Sequence, residues 1–341
     1  MWVGRRLAAI RVPGWPFVKT RRPALPSLSL PSPLQLPLQL PLPLSGTRRR
    51  AGAVRAVQAY ASTPSAPAGG TMEFRVSVPS RAACSVAVRR IGTPVPTPAV
   101  RFAGQDQDGT SVAWVRVGAG TALPLADGVG VPLTWCDWEP SLLLDIPDSW
   151  PPGLYVARFT VDAPLWSVLA LRGRSAHVPF VVRAPLAAGF PTLVILPFAA
   201  YAAANPWPTP EVRRARAVSL DRPFAGNGLP AAFAADAAYV AALADSDFAT
   251  SLDLHAGLVD PAAYRRVLLR DDVWSPEMRT ALAGAALSGT YVGGIGGVGG
   301  VGGVGGVGGV GGVGGIDGVP PGSVEFAPGP DGRRDRVLIR Y

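Results

Sequence analysis

The period of the apolar residues changes near position 190, and that change governs what the chain can fold into. Before it, residues 71–78 (TMEFRVSV) and 84–88 alternate apolar and polar side chains at period two. Further β-type runs cover 111–117, 142–146, 154–161 and 178–182, with Pro and Gly between them. Short alternating runs without a helical pattern predict a β-sandwich of about 120 residues. After the change, residues 192–196 (TLVIL) form a continuous apolar run, as in a parallel strand buried on both faces. An Ala-rich helix over 231–243, a strand at 250–254, a helical turn at 261–264 and a buried strand at 267–269 follow. Residues 276–287 read as a helix, with Ser275 as N-cap, Pro276 at the first position and Glu277 in the first turn. Strand and helix in alternation predict an α/β domain built on a parallel sheet with right-handed crossovers.

Both ends of the chain differ from this pattern. Residues 1–55 are an acid-free leader with Arg, Pro and Ser, which predicts disorder or targeting. Two readings stand: an organellar transit peptide, or a mis-called start that leaves a cytoplasmic protein. Residues 293–318 repeat Gly-Gly-Val. Glycine at two of every three positions makes ordering the backbone too costly for helix or strand, and proline is missing for a collagen helix. The expected units are therefore a sandwich over 56–189, an α/β domain over 190–292, the Gly-rich insert, and a C-terminal strand or tail over 319–341.

Charge narrows the function classes. The formal net charge is +9. Ten of the cations, from Arg5 to Arg55, precede the first acid, Glu73, so the remainder of the chain is close to neutral. Nucleic-acid binding needs basic charge on a folded face, so no nucleic-acid partner is expected. No membrane span is expected either, because seven prolines from Pro23 to Pro43 interrupt the one apolar stretch of sufficient length. Two cysteines, Cys84 and Cys136, and two histidines, His177 and His255, make a disulfide framework or a His/Cys zinc site a poor fit.

Other catalytic patterns are weak. A G-x-G-x-x-G at 294–299 lies inside the periodic tract without a helix after it. Ser219, His255 and Asp253 supply the residue types of a hydrolase triad, but no G-x-S-x-G elbow is present. Both cysteines fall in the β module, away from any strand-to-helix turn. The tryptophans at 114, 135, 138, 150 and 166 are read as packing residues, and His177 as a satisfied histidine at the edge of a strand.

Five segments carry a family resemblance. They are QAYASTPSAPAGGTMEFRVSV with VAVRRIG (58–78 and 86–92), DSWPPGLYVARF (148–159), AAYAAANPW (199–207), SLDRPF (219–224) and DLHAGLVDPAAYRRVLLRDDVWSPEM (253–278). In this order they resemble the large (beta) subunit of N,N-dimethylformamidase and its C-terminal region family. The resemblance implies a β-sandwich followed by a glutamine-amidotransferase-like α/β domain. It also implies hydrolysis of a small amide C–N bond at a mononuclear iron held by two tyrosinates and a glutamate. A hard Lewis-acidic ion suits such oxygen donors and lowers the pKa of bound water. On this chain, Tyr201 matches the first tyrosine and Asp272 the glutamate. Arg270 stands where the family has histidine, Val273 where it has tyrosine, and 205–218 holds no second tyrosine. Asp221 and Arg222 are candidates for shaping a pocket for a small-molecule amide, or for a salt bridge that pins their loop.

Overall fold

The structure, a computed structural model, describes residues 57–78, 82–92, 100–107, 110–118, 121–125, 131–162, 174–185, 189–208, 216–270, 273–294, 322–329 and 333–340, with the short runs 8–10 and 18–20. The alternating half of the chain supplies thirteen strands: β1 (Ala8–Ile10), β2 (Val18–Thr20), β3 (Gln58–Ala61), β4 (Ser65–Pro67), β5 (Thr71–Ser77), β6 (Ala82–Arg90), β7 (Val100–Gly104), β8 (Thr110–Gly118), β9 (Thr121–Leu125), β10 (Val131–Cys136), β11 (Leu142–Asp145), β12 (Gly153–Val161) and β13 (Ser175–Arg183). One sheet runs β1-β2-β11-β5-β3 and a second runs β4-β13-β12-β6-β7, while β10-β8-β9 form a separate three-stranded sheet.

The alternation has its expected consequence. Met72, Phe74 and Val76 of β5 point inward and meet Tyr155, Phe159 and Phe180 of the opposite sheet. The Phe74 ring lies 5.2 Å from Phe159 and 5.7 Å from Phe180, both edge-on, which suits the ring quadrupoles. β1 and β2 pair with each other, and β2 pairs with β11 on the edge opposite β5.

The segment 148–159 is tied together by its own contacts. Trp150 stacks on Tyr155 at 4.9 Å with planes 3° apart, and the Tyr155 hydroxyl donates to the Pro151 carbonyl at 2.8 Å. A Cβ on Gly153 would fall 2.7 Å from Nε of Arg90. Glycine there lets buried Arg90 donate to the carbonyls of Pro152 at 2.8 Å and Ala244 at 3.1 Å, and the second bond reaches the α/β domain.

That domain comprises β14 (Thr192–Leu196), α1 (Phe198–Ala204), β15 (Ala217–Ser219), α2 (Phe233–Ala242), β16 (Asp247–Thr250), α3 (Ser251–His255), β17 (Arg266–Leu269), β18 (Val273–Trp274), α4 (Pro276–Leu287), β19 (Tyr291–Gly294), β20 (Gly322–Ala327) and β21 (Val337–Arg340). A parallel sheet runs β16-β14-β17-β19. The chain leaves β14 to one side and returns to the other, so the strand order reverses between β14 and β17. The strand expected at 250–254 is displaced. It ends at Thr250, where Thr250 and Asp253 form a reciprocal capping box that starts α3. The α4 start matches expectation: Oγ of Ser275 accepts from the Met278 amide at 3.3 Å, with Pro276 at the first position. The Gly-rich insert, expected to form no strand, contributes Gly293 and Gly294 to the end of β19, where Tyr291 and Val292 start the pairing with β17; its residues 295–318 lie outside the described residues. β20 and β21 then return to build a second sheet, β15-β21-β20-β18.

Candidate functional site

The turns that follow β14 and β16 face the sandwich across a cleft. A cavity of about 60 Å³ lies there, lined by Tyr60 and Ala61 of β3, Phe198 of α1, Leu252 of α3, and Arg222 and Arg336. In a parallel sheet this rim, outside the carboxyl ends of the strands, is where ligands bind.

The segments 199–207 and 219–224 form one wall. Nδ2 of Asn205 donates to the Pro223 carbonyl at 2.9 Å, while its Oδ1 accepts from the amides of Trp207 and Ala225 at 3.2 and 3.1 Å. Arg222 reaches back across this loop. Its Nε donates to the Ser219 carbonyl and one amino group to the Ala202 carbonyl, both at 2.8 Å, and the other amino group donates to the Trp207 carbonyl. Burial first, and then the nearby Arg340, push Arg222 down to about 10. It remains cationic at neutral pH.

Asp221 faces a different partner. Its carboxylate accepts from Nε of Arg336 at 3.1 Å and from a second Arg336 nitrogen, and Arg333 lies 3.5 Å away. The neighbouring Asp221 and Arg222 are therefore not each other's counterions. The acid clamps the loop after β15 to the segment before β21, and the cation fastens that loop to the end of α1.

Tyr201 sits on α1, just past the carboxyl end of β14, and is buried. Its hydroxyl donates to Oδ2 of Asp236 on α2. Oδ1 of Asp236 accepts from Nε of Arg270 at 2.6 Å, with an Arg270 amino group equally close. The Arg270 guanidinium lies 4.5 Å over the Tyr239 ring. Asp236 is only 1 % exposed, so this phenol and this guanidinium are what make a charge tolerable there. Asp272, the other expected ligand, lies outside the described residues. The sequence reading passed over Asp236, although a lone acid inside an Ala-rich helical run was the signal available. Arg336 had no such local signal.

The remaining candidates are engaged apart from one another. Oγ of Ser219 accepts from the Asp221 amide, Asp253 serves the α3 cap, and His255 contacts Ser275 at 3.0 Å and Glu277 at 3.2 Å. Nδ1 of His177 lies 3.1 Å from the Asn227 carbonyl. Both thiols are buried and free, and burial pushes each pKa up. Among the described residues, no cluster of three or more His, Cys, Asp and Glu side chains is placed to hold a metal ion. No helix among them is long and apolar enough to cross a membrane.

Comparison with known proteins places these features in one family. No curated protein matches the chain. Among solved structures, a Paenibacillus sp. cycloisomaltooligosaccharide glucanotransferase overlaps 64 % of this chain and 21 % of its own, at 10 % identity and a TM-score of 0.20. A family 123 glycoside hydrolase from Clostridium perfringens overlaps 41 % of this chain and 26 % of its own, at 14 % identity and a TM-score of 0.16. The profile described as "N,N-dimethylformamidase beta subunit-like, C-terminal" matches residues 105–299, which start just past β7 of the sandwich and include the whole parallel sheet. The chain belongs to the N,N-dimethylformamidase beta subunit-like, C-terminal family.

Proposed function

We propose that this family member holds a small carbonyl compound, an amide or the acid related to it, in the cleft between its two domains, without metal-dependent hydrolysis. Its α/β domain is of the glutamine-amidotransferase-like kind, with Arg222 on the wall of the binding site and Asp221 fixing that wall through Arg336. The observation behind this reading is the closed cluster of Tyr201, Asp236 and Arg270. Iron would need Tyr201 as an open oxygen ligand beside Asp272. Instead the phenol donates to Asp236, and the charge of that carboxylate is answered by Arg270. A metal cation at this point would stand next to a guanidinium in a poorly solvated interior, where like charges repel strongly. The described residues offer one phenol and one already neutralised carboxylate, which do not fit an iron centre of three oxygen ligands.

A second reading is iron-dependent hydrolysis of a small amide C–N bond with Tyr201 and Asp272 as ligands. One observation favours it: the two residues follow β14 and β17, adjacent strands on either side of the order reversal.

Iron analysis separates the two. The purified full-length chain is incubated with ferrous and ferric iron, desalted and analysed for metal, then offered N,N-dimethylformamide. The expected result is substoichiometric iron and no release of formate or dimethylamine. One iron per chain that disappears in Tyr201→Phe would overturn the binding reading in favour of the hydrolase.

A further inference from the structure

We infer that the ligand of the cleft is a small carboxylate anion, held by the guanidinium of Arg222. This deepens the binding reading and rests on it. Arg222 is 5 % exposed, yet the partners it has are all main-chain carbonyls, those of Ser219, Ala202 and Trp207. Among the described residues no carboxylate lies within ion-pair reach of it. Asp221, its neighbour in sequence, is already shared by Arg333 and Arg336. A buried cation without an anion is costly unless something supplies the charge.

The geometry points the unmet charge toward the cavity. A guanidinium has five N–H groups, and three of those on Arg222 are engaged. Arg222 and Arg336 both line the cavity. The Arg336 fork already holds Asp221, so Arg222 is the guanidinium left to meet the two oxygens of a carboxylate, and its planar fork matches that anion. Ala61, Phe198 and Leu252, which line the same cavity, are apolar and limit the water that would compete. A space of about 60 Å³ suits a formate- or acetate-sized anion.

The test uses the full-length protein in calorimetric titrations with sodium formate and sodium acetate. Sodium chloride at matched ionic strength and neutral N,N-dimethylformamide are the comparators. The expected result is saturable binding of one carboxylate per chain, with no response to chloride. Arg222→Lys, which keeps the charge but loses the fork, weakens it at least tenfold. Ala61→Leu fills the cavity from the sandwich side without touching the arginine, and it is expected to abolish binding even where Arg222→Lys does not fold. Formate binding unchanged by Ala61→Leu would sink the inference. Binding of the neutral amide without formate or acetate also sinks it while leaving the binding reading intact. Binding of none of them removes both.

Discussion

The Ser65 hydroxyl donates to the Asp253 carboxylate across 2.5 Å, joining β4 of the sandwich to α3 of the α/β domain. The other oxygen of the same carboxylate accepts from the Thr250 amide at 2.8 Å and from its hydroxyl at 2.7 Å. Nε of Arg183 stands 3.7 Å away and balances the charge. One buried side chain therefore starts a helix and holds two domains in register.

That double duty predicts unequal losses. Asp253→Ala removes the acid half of the capping box, the interdomain bond and the counterion of Arg183, and should cost about 3 kcal/mol in urea unfolding. Ser65→Ala removes one bond and should cost about 1 kcal/mol, with α3 still capped. Equal losses for the two variants would refute the shared role.

Gly228 gives a second test. It has φ +88°, and a Cβ there would press on the His177 backbone of β13, 2.9 Å from its amide nitrogen. The same loop accepts the His177 amide through the Asn227 carbonyl at 2.8 Å. Gly226 shares a positive φ, of +72°, but its Cβ would meet nothing within 4 Å. Gly228→Ala should therefore cost about 2 kcal/mol or more, and Gly226→Ala about 1 kcal/mol, compared by thermal unfolding. A larger loss at Gly226 would mean that the loop does not ride on β13 as described.

Alkaline pH supplies a third. Burial, with a contribution from Asp162, lifts the Cys84 thiol from 9.0 to about 11, and burial likewise lifts Cys136, Tyr60, Tyr155 and Tyr264. The folded state holds these protons more tightly than the unfolded chain does. Stability from Cys84 is therefore intact below pH 9.0 and is lost as pH climbs through about 11. The urea midpoint should be level between pH 7 and 9 and fall beyond it, and a thiol reagent at pH 8 should modify neither cysteine before unfolding. A midpoint that holds steady to pH 11 would contradict the burial of these groups.

Much of the fold was legible because periodicity follows directly from side-chain geometry. Alternation fixed which residues of β5 face inward, and the continuous apolar run of β14 marked a strand covered on both sides. The α4 start could be read from Ser275, Pro276 and Glu277 because capping is a local matter. The β16 boundary was misread for a similarly local reason. Thr250 and Asp253 looked like strand residues until their mutual bonds turned the chain into α3. α1 and the sheet that joins β15 and β18 to β20 and β21 left no pattern strong enough to predict.

By itself the sequence settled the two folding patterns, their order and the family signature, since each depends on residues close together along the chain. It could not settle what the conspicuous side chains do. Tyr201 finds Asp236 at a separation of 35 residues, and Asp221 finds Arg336 at 115. Which acid neutralises which base is decided only when packing brings distant segments to one rim and removes water from between them.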